Sequence, residues 1–463
     1  MRDLLVFVLV LLSLPTCFRR PFVGLLVFTW LSYMRPQDLC WGFARTIRFS
    51  LYVGITMIAG YWARERGERP FFKRNAGSTA MLALLLLTYL STIPARKVDS
   101  DVFNGLFEFT KIVVVALFTI GQVDTRTRIR TLGWVIAVSL GFFGVKGGIN
   151  GIATGGGAIH QGPGGMLEDN NDFALGMVMC LPFLFYLGSA EAKKFVRLGA
   201  YVACGLSVVT IILTHSRGGF LALSTVFLMM AWRSGKLFRA TVVLGTFVTV
   251  FFLFAPQSVI DRYDTIDDVK VGRQDGSVEA RLVSWGVAWE MVKDDPLLGI
   301  GFRNFEANYV AYAAIAYPGV PVIPRVTHNS YLQIWSENGT PALVFFVVVL
   351  LSVFVVSHRT RALARRHGDM DWAIRYANMA ETSIFGFLVG GFFLNRGHFD
   401  LTYQVVGFAS AIYFTARAHA VLPADAADPV VATPGGPVAA LVPRPVWGRA
   451  TATAGAPRWA RTD

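Results

Sequence analysis

Apolar runs of about 15 to 20 residues, each near the length that crosses a bilayer as a helix, recur along the chain between short polar or basic stretches. They lie at Leu4 to Cys17, Phe22 to Met34, Ile47 to Ala63, Thr79 to Ile93, Phe103 to Gly121, Leu132 to Ile149, Phe173 to Gly188, Val196 to Thr214, Phe220 to Trp232, Leu237 to Ala255, Pro341 to Ser357, Ile374 to Leu394 and Leu401 to Ala416. The first two are short enough for a hairpin or a partial span, so the pattern predicts about twelve crossings. The opening "MRDLLVFVLVLLSLPTCF" looks like a signal peptide, but Arg19 and Arg20 follow at once, and we read an uncleaved first membrane segment. The stretch from Pro256 to Thr327, about seventy residues, exceeds the usual length of an unstructured connection and must carry structure or function. Within it, "SVEARLVSWGVAWEMVKDDP" spaces Leu282, Trp285, Trp289 and Val292 by three and four residues. That spacing predicts an amphipathic helix ending near Pro296, its aromatic stripe suited to a membrane interface and Arg281 at the stripe's edge.

Composition sharpens the picture. At 463 residues, 54% hydrophobic and a mean hydropathy of +0.50, the chain is too apolar for an ordinary soluble domain. We expect an all-α polytopic integral membrane protein with one large periplasmic loop that contains the amphipathic helix. The net charge of +13 comes from short clusters between apolar runs, where topology signals account for it. No finger motif or aromatic and basic stripe accompanies it, so nucleic acid is not an expected partner, and membrane lipids are. The clusters Arg64 to Arg74, Arg126 to Arg130, Lys193 to Arg197, Arg233 to Arg239 and His358 to His367 are assigned to the cytoplasm, and the loops between them face outward. The expected organisation is an N-terminal transmembrane bundle over 1–255, the periplasmic loop over 256–330, C-terminal transmembrane helices over 331–420 and a disordered cytoplasmic tail over 421–463. Cys17, Cys40, Cys180 and Cys204 are scattered without metal spacing and read as small buried hydrophobes.

Candidate chemistry concentrates in "RVTHNSYLQIWSENG" (Arg325 to Gly339). Tyr331, Leu332, Ile334 and Trp335 begin a helix with Asn329 or Ser330 as N-cap, which leaves His328 unexplained. "PLLGIGFRNF" (Pro296 to Phe305) reads as a tight turn that re-aims the chain, because G-x-G alone is weak evidence for a phosphate loop. An acidic D-x-D at Asp99 to Asp101 could hold a divalent cation on a diphosphate, but it and the pairs Asp267-Asp268 and Asp294-Asp295 are short matches common by chance. His160, His215 and His398 are read as residues of outward loops.

Taken in order, "SRGGF", "ARLVSW", "GIGFRNF" and "HNSYLQIWSENG" leading into a span resemble the O-antigen ligase and polymerase superfamily of bacterial envelope glycan assembly. "MRDLL", "RRPFVGLLVFTWLSYMRPQ", "WGFA" and "DNNDFALGM" bring the chain closest to the O-glycosylation ligases associated with the exosortase A system. The resemblance covers all but the tail. It implies a GT-C-like ligase and polymerase fold in the inner membrane and an inverting, metal-independent transfer without cofactor. The glycan would pass from an undecaprenyl-diphosphate carrier to an acceptor hydroxyl of protein, lipid or polysaccharide at the periplasmic face. It further implies that Arg217 and Arg281, with Arg325 a weaker candidate, hold the diphosphate, a task suited to a guanidinium fork, and that His328 is the base. Other roles stay open. Arg217 could snorkel to headgroups and His328 could be structural. The chain could be a repeat-unit polymerase, a lipid-linked oligosaccharide transporter with its cations lining an internal cavity, or an envelope receptor or scaffold.

Overall fold

Hydrophobic length and helix-capping chemistry together set the elements. The computed structural model describes residues 1–165, 167–235, 278–319 and 323–421, so the expected span at Leu237 to Ala255 and the expected tail lie outside the described residues. The first helices are α1 (Arg2–Arg19), α2 (Pro21–Tyr33), α3 (Phe49–Arg64), α4 (Ala76–Leu90), α5 (Ser100–Gln122), α6 (Arg126–Ala153), α7 (Asn170–Ala190), α8 (Lys194–Leu213) and α9 (Arg217–Arg233). Then follow α10 (Val278–Asp294), α11 (Phe305–Ala316), α12 (Ser330–Ala364), α13 (Asp371–Gly390) and α14 (Asp400–Val421). Polar residues just outside the apolar runs start them: the Asn75 side chain accepts from the Ser78 amide, Asp99 from Val102, Thr125 from Arg128 and Asp169 from Asn171. Of the described helices, α5, α6, α7, α8 and α12 are each long and apolar enough to cross a membrane.

The basic clusters meet at one end of the bundle. Arg69 pairs with Asp124 at 2.7 Å, Arg128 with the same carboxylate at 3.3 Å and Arg130 with Glu191 at 2.6 Å, while Arg233 and Arg361 share Glu381 at 2.5 Å each. At the opposite end the polar connections crowd together, and a two-stranded antiparallel hairpin, β1 (Gln161–Gly164) with β2 (Leu167–Asp169), departs from the all-α expectation. The glycine-rich sequence around it lacks the alternating apolar pattern that would have marked a strand. Leu167 anchors the hairpin, fully buried.

Two further corrections concern the large loop and α12. The packing face of α10 is Ser284, Val287, Ala288 and Met291, not the aromatic stripe: Leu282 and Trp289 are exposed. Small side chains let α10 sit close against Phe305, Tyr309 and Tyr312 of α11, whereas the tryptophan rings reach its rim, with Trp289 edge-on to Trp335 at 5.5 Å. Helix α12 is interrupted at Gly339 (φ 83°), and Pro341 follows. The segment Pro296 to Gly301 splints the break: the Ile300 amide donates to Ser336 O (2.9 Å), Gly301 to Glu337 O (3.1 Å), and Thr340 donates to Pro296 O (2.8 Å). Here "GIGF" acts as the re-aiming turn expected of it, with Gly299 at φ 69° and Gly301 at φ 107°. A Cβ on Gly339 would fall 2.1 Å from Leu297 O. Combined with the left-handed backbone, Gly339→Ala is expected to destabilise the protein by about 2 kcal/mol or more, read as a lowered midpoint in thermal unfolding of the purified protein.

Candidate functional site

Three chain segments bring the expected residues together. Ser216 caps α9 by accepting from the Gly219 amide at 3.0 Å, which makes Arg217 the first helical residue at the polar end of the bundle. Arg281 lies in the first turn of α10, half-buried. His328 precedes the N-cap Asn329, whose side chain accepts from Tyr331 (2.9 Å) and Leu332 (3.1 Å). The cap is thus Asn329. Ser330 instead bridges to the turn after α13, donating to Leu394 O at 2.8 Å and accepting from the Arg396 amide at 3.0 Å.

His328 is held in a left-handed conformation (φ 48°), which is uncommon for a residue with a side chain and persists where the surroundings fix it. Those surroundings are specific. Trp285 Nε1 donates to Thr327 O at 3.0 Å, tying α10 to the residue before His328. The Thr327 hydroxyl donates to Asn395 Oδ1, and Arg396 in the same turn pairs with Asp172 at the start of α7. Ordering by hydrogen bonds from three elements leaves the imidazole half-buried beside Arg281.

The electrostatics follow from that placement. Burial lowers the His328 pKa below the 6.5 of a free imidazole; Arg281 and the exposed Arg325 press it down further, and Asp169 of the hairpin opposes them. Burial also works against the Arg281 charge, and Arg217 repels it. Among the described residues Arg281 forms no ion pair, so the site carries a desolvated cation facing a second cation. Such an arrangement is relieved by an incoming anion. A neutral imidazole at physiological pH is competent to accept a proton. Because the His328 pKa is depressed, any activity that needs the neutral ring should be constant from neutral pH upward and fall only as pH drops below 6.5, which a pH and rate profile of the purified protein measures.

The structure therefore gathers Arg217, Arg281, Arg325 and His328 at one end of the bundle and adds Asp169, which sequence reading missed because nothing local in "LEDNND" links it to a residue far along the chain. The D-x-D carboxylates are engaged by the protein itself: Asp99 caps α5 and pairs with Lys97 at 2.8 Å, and Asp101 pairs with Arg303 at 2.8 Å. His160 is an exposed loop residue. His398 lies in the turn before α14, as expected, but packed inward: its ring is edge-on to Phe109 (4.4 Å) and Phe302 (5.0 Å), and burial pushes its pKa down to about 3. A cavity lies beside the His328 cluster rather than on it, reaching that loop at Val326 and Asn395.

Apolar helices of membrane length define a multi-pass membrane protein, with a cationic, histidine-bearing cluster at one end. Residues 202–347, which include all four expected site residues, match the O-antigen ligase family, and residues 1–188 match a family of unknown function. The match over residues 202–347 supports the O-antigen ligase superfamily for this chain, and with it a membrane glycosyltransferase-like enzyme. No curated protein matches it.

Proposed function

We propose that the protein is an O-antigen ligase-like glycosyltransferase that moves a glycan from an undecaprenyl-diphosphate carrier to an acceptor hydroxyl. The reaction runs at the periplasmic face of the bacterial inner membrane, in a bundle of about twelve crossings. The observation that carries this reading is the neutral-leaning His328 beside the half-buried Arg281, which forms no ion pair among the described residues, with Arg217 next to it. In the reaction the acceptor oxygen attacks the anomeric carbon, the bond to the diphosphate oxygen breaks, and His328 takes the hydroxyl proton as the new glycosidic bond forms. Negative charge grows on the departing diphosphate, where Arg217 and Arg281 offer planar, permanently charged donors, and Arg325 reinforces them from the exposed side. With arginines supplying that neutralisation, the transfer needs no divalent cation. The basic clusters at the far end of the bundle support the orientation, since cytoplasmic loops are the ones enriched in Lys and Arg.

The test is transfer from purified undecaprenyl-diphosphate-linked glycan in excess chelator. Product formation at the untreated rate is expected. Loss of product in chelator, restored by Mg²⁺ or Mn²⁺, would overturn the arginine mechanism, and absence of any product with a competent donor and acceptor would overturn the transferase reading.

A further inference from the structure

The cavity beside the site encloses about 880 Å³ between the N-terminal helices and the C-terminal turn. One wall comes from residues 1–188, the segment matched to a family of unknown function, through Arg35, Arg48, Asn104 and Glu108. The other comes from Phe302, Arg303, Glu337 and the turn at Asn395 to Asp400. The volume suits a few linked sugar rings, being within the range of small-molecule sites.

Its chemistry differs from that of the His328 cluster. Six Arg or Lys side chains and six Asp or Glu side chains line it, several already joined, as Arg35 is to Asp38 at 2.5 Å and Lys111 to Glu108 at 2.6 Å. With Arg303 paired to Asp101 and Arg396 to Asp172 as well, most of the wall's cations are engaged within the protein, whereas carboxyls, guanidinium groups and amides set among aromatic rings such as Tyr33, Phe109 and Phe302 suit the many hydroxyls and apolar faces of a sugar. Four groups in the wall also keep unused hydrogen-bonding capacity: Gln37 Oε1, Glu337 Oε2, His398 Nε2 and Asp400 Oδ1 are buried and unpartnered among the described residues. Buried polar atoms of this kind are the exception in folded proteins and mark places where a partner is to be supplied.

Position decides which substrate. Arg217, Arg281 and His328 are absent from the cavity wall, which reaches their loop at Val326, two residues and at most ~7 Å of extended chain from His328. His328 is near Arg281, and the residue before it, Thr327, is bonded to Asn395 of the cavity wall. An oxygen that displaces a diphosphate has to reach the anomeric carbon from a place other than the one the diphosphate fills, and this cavity is such a place within reach of His328. We propose that this cavity binds the acceptor, as an uncharged, hydroxyl-rich glycan, and that the N-terminal segment thereby sets acceptor choice. The assignment rests on the transferase reading above.

The test uses the full-length protein in membranes, with envelope glycan extracted from the source cells as acceptor probe and sugar-free undecaprenyl diphosphate as donor-site probe. Asn104→Trp fills the cavity from one wall, and Arg48→Ala removes a lining cation that has no ion pair among the described residues. Both are expected to raise the acceptor KM by about tenfold or more, the worth of one or two lost polar contacts, while undecaprenyl diphosphate binds as to wild type. Loss of diphosphate binding in these variants would make the cavity a donor site and overturn the proposal. An unchanged acceptor KM in both, with wild type active, would reject the cavity alone. A wild-type protein that transfers nothing rejects the transferase reading and this assignment with it.

Discussion

Replacing His328 with alanine is expected to lower glycan transfer by about a hundred- to ten-thousand-fold, the range for removing a positioned general base, with donor binding retained because the arginines remain. The left-handed backbone at His328 calls for a second variant, since a folding defect would give the same loss. Asparagine tolerates that conformation better than most residues, so His328→Asn should fold as wild type and be equally inactive. Turnover and binding of undecaprenyl diphosphate measured side by side decide the matter. Near wild-type turnover in either variant would return the histidine to a structural role.

The second large effect concerns charge geometry rather than charge. Arg281→Lys keeps a cation in the first turn of α10 but replaces the planar fork with a single ammonium, which cannot grip two diphosphate oxygens at once. The ammonium would also have to stay charged while half-buried beside Arg217, and lysine, unlike arginine, can shed its proton under that pressure. Transfer is expected to fall by about a hundred- to a thousand-fold, comparable to losing one donor to a developing oxyanion, with weaker binding of undecaprenyl diphosphate. Retention of both would place the diphosphate elsewhere. Trp285→Phe, by contrast, removes only the hydrogen bond to Thr327 O and should slow turnover modestly through looser placement of His328.

Legibility in the sequence followed the range of the forces involved. Helices such as α7 and α8 were plain because burial in a bilayer demands an unbroken apolar run, and the Asn329 cap was plain because it acts within three residues. The site residues became legible through short motifs in a recognisable order, which established their company but not their geometry. What stayed hidden depends on contacts distant in sequence. The inward packing of His398 shows only when Phe109 and Phe302 close around it. Asp169 reaches His328 only when the hairpin folds over α7. The packing stripe of α10 was misplaced for a related reason: periodicity marks large apolar side chains, whereas close helix contact favours Ser284 and Ala288, which a hydrophobicity pattern undervalues.

The splinted break in α12 determines which distances in the site can vary. Pro296 to Gly301 holds carbonyls before Gly339 and the Thr340 amide after it, so the interruption behaves as a fixed elbow instead of a pivot. Because α10 runs directly into that splint and Trp285 is bonded to Thr327, Arg281 and His328 ride on one mechanical piece. Arg217 reaches that piece through α13, on which both α9 and α12 are seated. The splint and the Trp285 bond thus fix the spacing of Arg281 and His328 more directly than that of Arg217 and His328, whose link runs through a third helix.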